Sequence, residues 1–160
     1  MFDVHIDATY AWLGVALVSV ATAGVAATLP ASPPPDAGGV ATTIDSVADG
    51  EYPATAEHGL AADRIRLTPG SVSLSNGDGT ARSTLHAPRI TPVPTTAGTV
   101  DGRLHRLLDG VPPNAVFEDP TALADAAEHA REQEHAWHTA PNRLTIRRVQ
   151  YGDVHVTLVG

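Results

Sequence analysis

The chain has 160 residues, a formal net charge of −8 and no Cys; all ten of its basic residues are Arg, against eighteen Asp and Glu. That balance argues against a nucleic-acid partner, and the missing Cys excludes disulfides, thiolate metal sites and a Cys nucleophile. Acidic excess without Lys, together with abundant Ala, Thr and Val, points to an extreme halophile with a GC-rich genome. In molar salt the Debye length falls to ~3 Å, so the acidic surface serves solubility more than ion pairing.

Residues 1–7 (MFDVHID) form a short acidic tail without Lys or Arg. A secretory signal peptide normally starts with a positive segment, so a retained apolar stretch is expected rather than a cleaved one; a secreted domain with a cleaved signal is the alternative. Ala8 to Leu29 carry no charge over 22 residues. At ~1.5 Å per residue such a helix would be roughly 33 Å long, enough for a hydrocarbon core of about 30 Å. Residues 8–29 therefore read as a single transmembrane helix. Tyr10 and Trp12 would lie at headgroup level, and Pro30 closes the stretch. The first Arg is Arg64, so local charge does not encode the orientation. Ser19, Ala23 and Ala27 make a stripe of small side chains that would let another single-span helix approach closely, although an Ala-rich segment also meets this spacing by chance.

Residues 30–38 form a Pro-rich linker, which polyproline II geometry would make a stiff spacer. Val40, Ile44 and Val47 then recur at helical spacing, predicting a short helix over 39–49 with Gly50 as its C-cap. Residues 39–63 hold five acids and no base, a pattern expected of a solvated face. From Asp63 the period changes to two. Ile65 and Leu67 alternate with Arg64 and Arg66, Thr68-Pro69-Gly70 turns the chain, and Val72 and Leu74 alternate with serines. Asn76-Gly77-Asp78-Gly79 is the strongest hairpin signal, and its polar return strand, 80–86, is expected at a sheet edge. Pro88, Pro92 and Pro94 exclude a central strand from the following segment.

Residues 100–109 predict a helix with Thr99 as N-cap, Leu104, Leu107 and Leu108 facing inward, and Gly110 ending it. Phe117 is expected to anchor the next connector. Asp119-Pro120 supplies an N-cap followed by proline at the first helical position, opening a helix over 120–136 that Trp137 closes. The chain ends in the clearest strand pair. Leu144 and Ile146 lead to a turn at Tyr151-Gly152-Asp153, and Val154, Val156 and Leu158 return. The spacing from Ile146 to Val149 breaks the alternation, predicting a bulge near Arg147. The expected fold is α+β, with residues 39–160 forming one small domain of antiparallel hairpins whose two or three short helices cover one face of the sheet.

Chemistry-bearing candidates are few. His129, Glu132, His135 and His138 cluster in sequence, and Glu132-x-x-His135 and His135-x-x-His138 would each place two ligands about one helical turn apart. A membrane-tethered metal-binding or hydrolytic domain using this region is the alternative function. Against it, the zincin pattern is absent, a di-iron site would need a second Glu-x-x-His helix, and histidines at a helix C-terminus are favoured by the macrodipole without any metal. Ser71, Ser73 and Ser75 lack a nucleophile elbow and read as the solvent face of a strand. Asn76-Gly77-Asp78-Gly79 lacks the remaining ligands of a calcium loop. Arg143, Arg147 and Arg148 suit an acidic partner or the acidic helix of the same chain. No catalytic, metal or cofactor-binding residue is assigned, and no enzymatic activity is expected.

MFDVHIDATYAWLGVA, PASPPPDA, PATAEHGLAADRIRLTPGSVSLSN and NRLTIRRVQYGDVHVTLVG together cover much of the chain. In these segments it resembles an uncharacterised family of small single-span proteins from haloarchaea. The resemblance implies an accessory member of gene clusters for type IV pilus or type II secretion-like machinery. It also implies a C-terminal domain outside the cell membrane, and it carries over no catalytic residue. The expected function is thus a non-enzymatic, membrane-anchored structural or accessory protein of the archaeal cell envelope, pilin-like in layout. Its expected partners are the lipid bilayer and other single-span envelope proteins. Two features depart from a pilin: no basic prepilin leader precedes the apolar stretch, and Pro30 with Pro33 to Pro35 interrupts the helix after it. A stationary anchored component is therefore expected rather than a polymerised subunit.

Overall fold

The computed structural model describes residues 35–87, 89–93 and 102–160. The tail 1–7, the expected membrane helix 8–29 with its small-residue stripe, most of the linker and the Thr99 cap lie outside the described residues. Among the described residues, no helix is long and apolar enough to cross a membrane. The described part of 32–160 is α+β, with three α-helices and two four-stranded sheets rich in antiparallel pairs.

Helix α1 spans Ala37–Ala48 and starts two residues before the expected position. The reason is Asp36, whose carboxylate accepts the Gly39 N–H at 2.8 Å and satisfies a donor that the helix leaves open. At the other end Asp49, not Gly50, is the C-cap; its backbone stays near helical (φ −81°) and its N–H donates to the Asp45 carbonyl at 2.9 Å. No left-handed residue is used there, so glycine is not required.

Strand β1 (Ala54–Gly59) lies where only a solvated acidic face was expected. It pairs antiparallel with β7 (Arg143–Tyr151), which forms the C-terminal hairpin with β8 (Val154–Val159). Strand β5 (Thr91–Pro92) runs parallel to β8 at the opposite edge, giving the order β1-β7-β8-β5. Two residues at an edge are what a proline permits. The second sheet is a meander of β2 (Arg64–Thr68), β3 (Ser71–Asn76) and β4 (Gly79–Thr84), with β6 (His138–Thr139) added beside β2. Strand β4 is at the edge, as its polar sequence predicts. Within the Asn76 to Gly79 hairpin only Gly79 has a positive φ (146°), and the Asn76 carboxamide oxygen accepts the Asp78 N–H at 2.9 Å.

The expected bulge at Arg147 is absent. Ile146 faces Val159 and Val149 faces Val156 in one continuous register, so the two residues point to opposite sides of the sheet. The alternation breaks because this sheet has a core on each face. On one side Leu144, Ile146 and Val159 pack with α1 (Val40, Ile44, Val47) and with Ile65, Leu67, Val72 and Leu74 of the second sheet. On the other side Val149, Val156 and Leu158 pack with helices α2 (Gly102–Leu108) and α3 (Pro120–Glu132) and with Phe117. The helices therefore cover both faces of the β1-β7-β8-β5 sheet, rather than the single face expected.

Helix α2 buries Leu104, Leu107 and Leu108 as its spacing predicts. Gly110 ends it at φ 107°, its N–H donating to Leu107 O (3.0 Å) while Val111 N–H reaches Arg106 O (2.9 Å), the paired bonds of a Schellman motif. Helix α3 begins at the Asp119 cap, which accepts the Ala122 N–H at 2.8 Å. It ends at Glu132, four residues short of the expected 136. Gln133 is extended (φ −64°, ψ 155°), and His138 and Thr139 pair with Ile65 and Arg64 in β2. Strand pairing of His138 and Thr139 at the β2 edge draws residues 133–136 out of the expected helix, and Trp137 closes nothing on it.

Candidate functional site

The early end of α3 removes the geometry that the histidine cluster needs. Glu132 is the last helical residue, so the one-turn spacing to His135 and from His135 to His138 is not realised. His129 contacts Gln133 Nε2 at 3.0 Å, His135 Nε2 lies 3.1 Å from the Arg131 carbonyl, and His138 Nδ1 lies 3.5 Å from the Ala136 carbonyl. Among the described residues no three His, Cys, Asp or Glu side chains are grouped so as to hold a metal ion.

The three C-terminal arginines have separate surroundings. Arg143 pairs with Glu57 of β1 at 2.6 Å. Arg148 Nη1 donates to the Ala48 carbonyl at the end of α1. Arg147 lies beside Gly110, its Nη1 3.0 Å from where a Cβ would stand.

The arrangement with chemical potential lies on the meander, on the side away from the α1 core. In the β2–β3 and β3–β4 registers, Arg64 stands opposite Ser75, Arg66 opposite Ser73 and Thr68 opposite Ser71; the same serines then face Thr80, Arg82 and Thr84. Directly opposed residues of an antiparallel pair share a face, and Ile65, Leu67, Val72 and Leu74 take the other one. These rows thus make one continuous surface of arginines and hydroxyls, with no carboxylate on its strands. Thr139, opposite Arg64, extends it across β6.

Trp137 covers the β6 end of this surface. The Arg64 and Arg66 guanidiniums lie over its ring at 5.7 and 5.3 Å from the centroid, within cation–π range. Arg82 Nη2 donates to Ser71 Oγ at 3.3 Å. Ser71 and Ser73 are buried, contrary to the solvent-facing reading: Ser73 stands between the stems of Arg66 and Arg82 in its cross-strand row, and Ser71, between Thr68 and Thr84, lies 2.9 Å from Thr68 Oγ1 and under the Arg82 side chain that donates to it. Arg66 Nε is buried with no hydrogen-bond partner. Among the described residues none of these three guanidiniums has a carboxylate partner, whereas Arg89, Arg131 and Arg143 each have one. The alternation of Arg and Ser with apolar residues was the available signal for this face. Its aromatic end was hidden, because Trp137 reaches it only through the β2–β6 pairing.

No curated protein and no solved structure matches the chain. A family model described as a family of unknown function, DUF7283, matches residues 3–149, a span that includes all three described helices, the whole β2-β3-β4-β6 sheet and most of β7, and ends before β8. The chain belongs to that family.

Proposed function

We propose that this protein is a non-enzymatic, membrane-anchored accessory component of the cell envelope, holding a small α+β domain beside the membrane. The observation that carries this reading is the uncharged 22-residue stretch from Ala8 to Leu29, followed at once by Pro30 and the Pro33-Pro34-Pro35 run. A helix of that length matches a bilayer, and a proline-rich segment after it acts as a spacer. The acidic, Lys-free composition supports a halophilic source. Resemblance to small single-span haloarchaeal proteins supports an external domain and a place in a pilus or secretion-like assembly, as a stationary partner of other single-span proteins.

Fractionation of cells producing the full chain tests the reading. The protein should stay with membranes through an alkaline carbonate wash, and the double substitution Leu17→Arg, Val20→Arg should release it, because each charge at mid-span costs about 2.5–3.5 kcal/mol. Intact mass is read on the same sample. A mature chain starting near Ala31, or a wild-type chain released by carbonate, would sink the anchor. Crosslinking in membranes followed by co-purification reads the assembly: recovery of other single-span envelope proteins supports it, and recovery of the monomer alone contradicts it.

A further inference from the structure

We infer that the outer face of the β2-β3-β4-β6 sheet is a binding site for an acidic saccharide, a chain of sugars bearing carboxylate or sulfate groups. The inference does not depend on the membrane anchor, since it is built from the folded domain alone. Three of the ten arginines converge on this face in a chain of net charge −8, and no acidic residue of its strands neutralises them. Like charges held together without a counter-charge make a site for an anion. The position of Arg64 and Arg66 over the Trp137 ring restricts both side chains in advance, which reduces the rotamer freedom lost when a carboxylate or sulfate is bound through paired N–H groups. Arg82, tied to Ser71, lies across Ser73 from Arg66 and supplies a further positive group along the same row.

The rest of the surface distinguishes among anions. Between and around the arginines stand Ser75, Thr80, Thr84 and Thr139; Thr80 Oγ1 donates to Ser75 Oγ at 3.2 Å and keeps its lone pairs, Ser75 keeps its proton, and the hydroxyls of Thr84 and Thr139 can both donate and accept, as neighbouring hydroxyls of a sugar require. Trp137 is, among the described residues, the aromatic group of this face, and its ring is the platform over which Arg64 and Arg66 lie. An acidic protein partner would be expected to seat apolar anchors in pockets, and these strand rows carry no apolar side chain on this side. A single-stranded nucleic acid would stack successive bases on a row of aromatic side chains, and the rows of this face carry hydroxyls and arginines instead.

Binding of the full chain to polygalacturonate, measured in parallel with neutral dextran and poly-L-glutamate across a salt series, tests the inference. Polygalacturonate should bind with an affinity that falls as salt rises, and dextran should not bind. Arg66→Gln and Arg82→Gln should each weaken binding about tenfold, the loss of one charge-assisted contact, while Arg106→Gln on the exposed side of α2 removes the same charge elsewhere and should leave affinity within about twofold. Trp137→Leu keeps every charge and should also weaken binding. Far-UV circular dichroism verifies each fold; Arg82 lies on an edge strand and keeps the test decisive if Arg66→Gln does not fold. Equal affinity of wild type and Arg82→Gln, equal losses for Arg82→Gln and Arg106→Gln, binding of dextran, or poly-L-glutamate binding as tightly as polygalacturonate would each overturn the assignment.

Discussion

Arg148 stands on β7 between Ala54 of β1 and Thr157 of β8, on the side of the sheet that faces α1. Its Nη1 donates to the carbonyl of Ala48, the last residue of that helix, whose own final turn carries no basic side chain. A strand therefore supplies the positive charge that complements the helix C-terminus and satisfies one of its open carbonyls. The same residue carries a penalty, since its Nε is buried without a partner. A hydrogen bond to a charged donor contributes about 1.5–3 kcal/mol and an unpaired buried polar atom costs about 1–3 kcal/mol, so the two nearly cancel. Arg148→Met keeps the length of the stem and removes both. The variant also leaves the Ala48 carbonyl without this donor, so the expected net effect is a loss of roughly 1 kcal/mol, read as a lower denaturation midpoint at unchanged denaturant slope. A more stable variant would mean that burial of the guanidinium outweighs the cap.

At the scale of elements, the parts of this fold that are legible in sequence are those whose signals are local. The β2-β3-β4 meander follows from Ile65, Leu67, Val72 and Leu74 at period two and from turn residues between them, and α3 starts where Asp119-Pro120 says it must. Asp119→Ala should cost about 1 kcal/mol, because the Ala122 N–H loses its acceptor. Asp119→Asn, which keeps an oxygen in place, should lose much less, and thermal unfolding of the pair distinguishes capping from surface charge. The elements that sequence leaves hidden are those that tertiary pairing imposes. Strand β1 (ATAEHG) has a single β-branched residue and becomes a strand because β7 offers it an edge. Residues 133–136 of the expected long helix leave it because His138 and Thr139, just beyond its expected end, are claimed by β2. Loss of that helical turn dismantles the His135 and His138 spacing and at the same time brings Trp137 to Arg64 and Arg66. The candidate site was half legible for the same reason: the arginine and serine alternation is local, whereas its aromatic end depends on a pairing between distant segments.

At the scale of the molecule, two apolar cores lie on opposite faces of one sheet, and β7 and β8 contribute to both. Leu144 and Ile146 serve one core and Val149 the other, along a single unbulged strand. Neither core can open while these strands keep both sets of contacts, because dissolving one side strips the central hairpin of half its burial. The domain should therefore unfold in one cooperative transition rather than core by core. Ile44, on α1, is fully buried in the first core, and Leu107, on α2, is fully buried in the second. Ile44→Ala and Leu107→Ala should each remove about 2–5 kcal/mol of stability from that same transition. In a Trp12→Phe background, Trp137 reports from the meander, while far-UV circular dichroism reports on all described helices and strands together. The two signals should give coincident urea midpoints in the parent and in both variants. A Leu107→Ala variant whose circular dichroism falls well before its Trp137 signal would show instead that α2 and α3 leave the sheet independently, and that the β7–β8 hairpin does not couple the two cores.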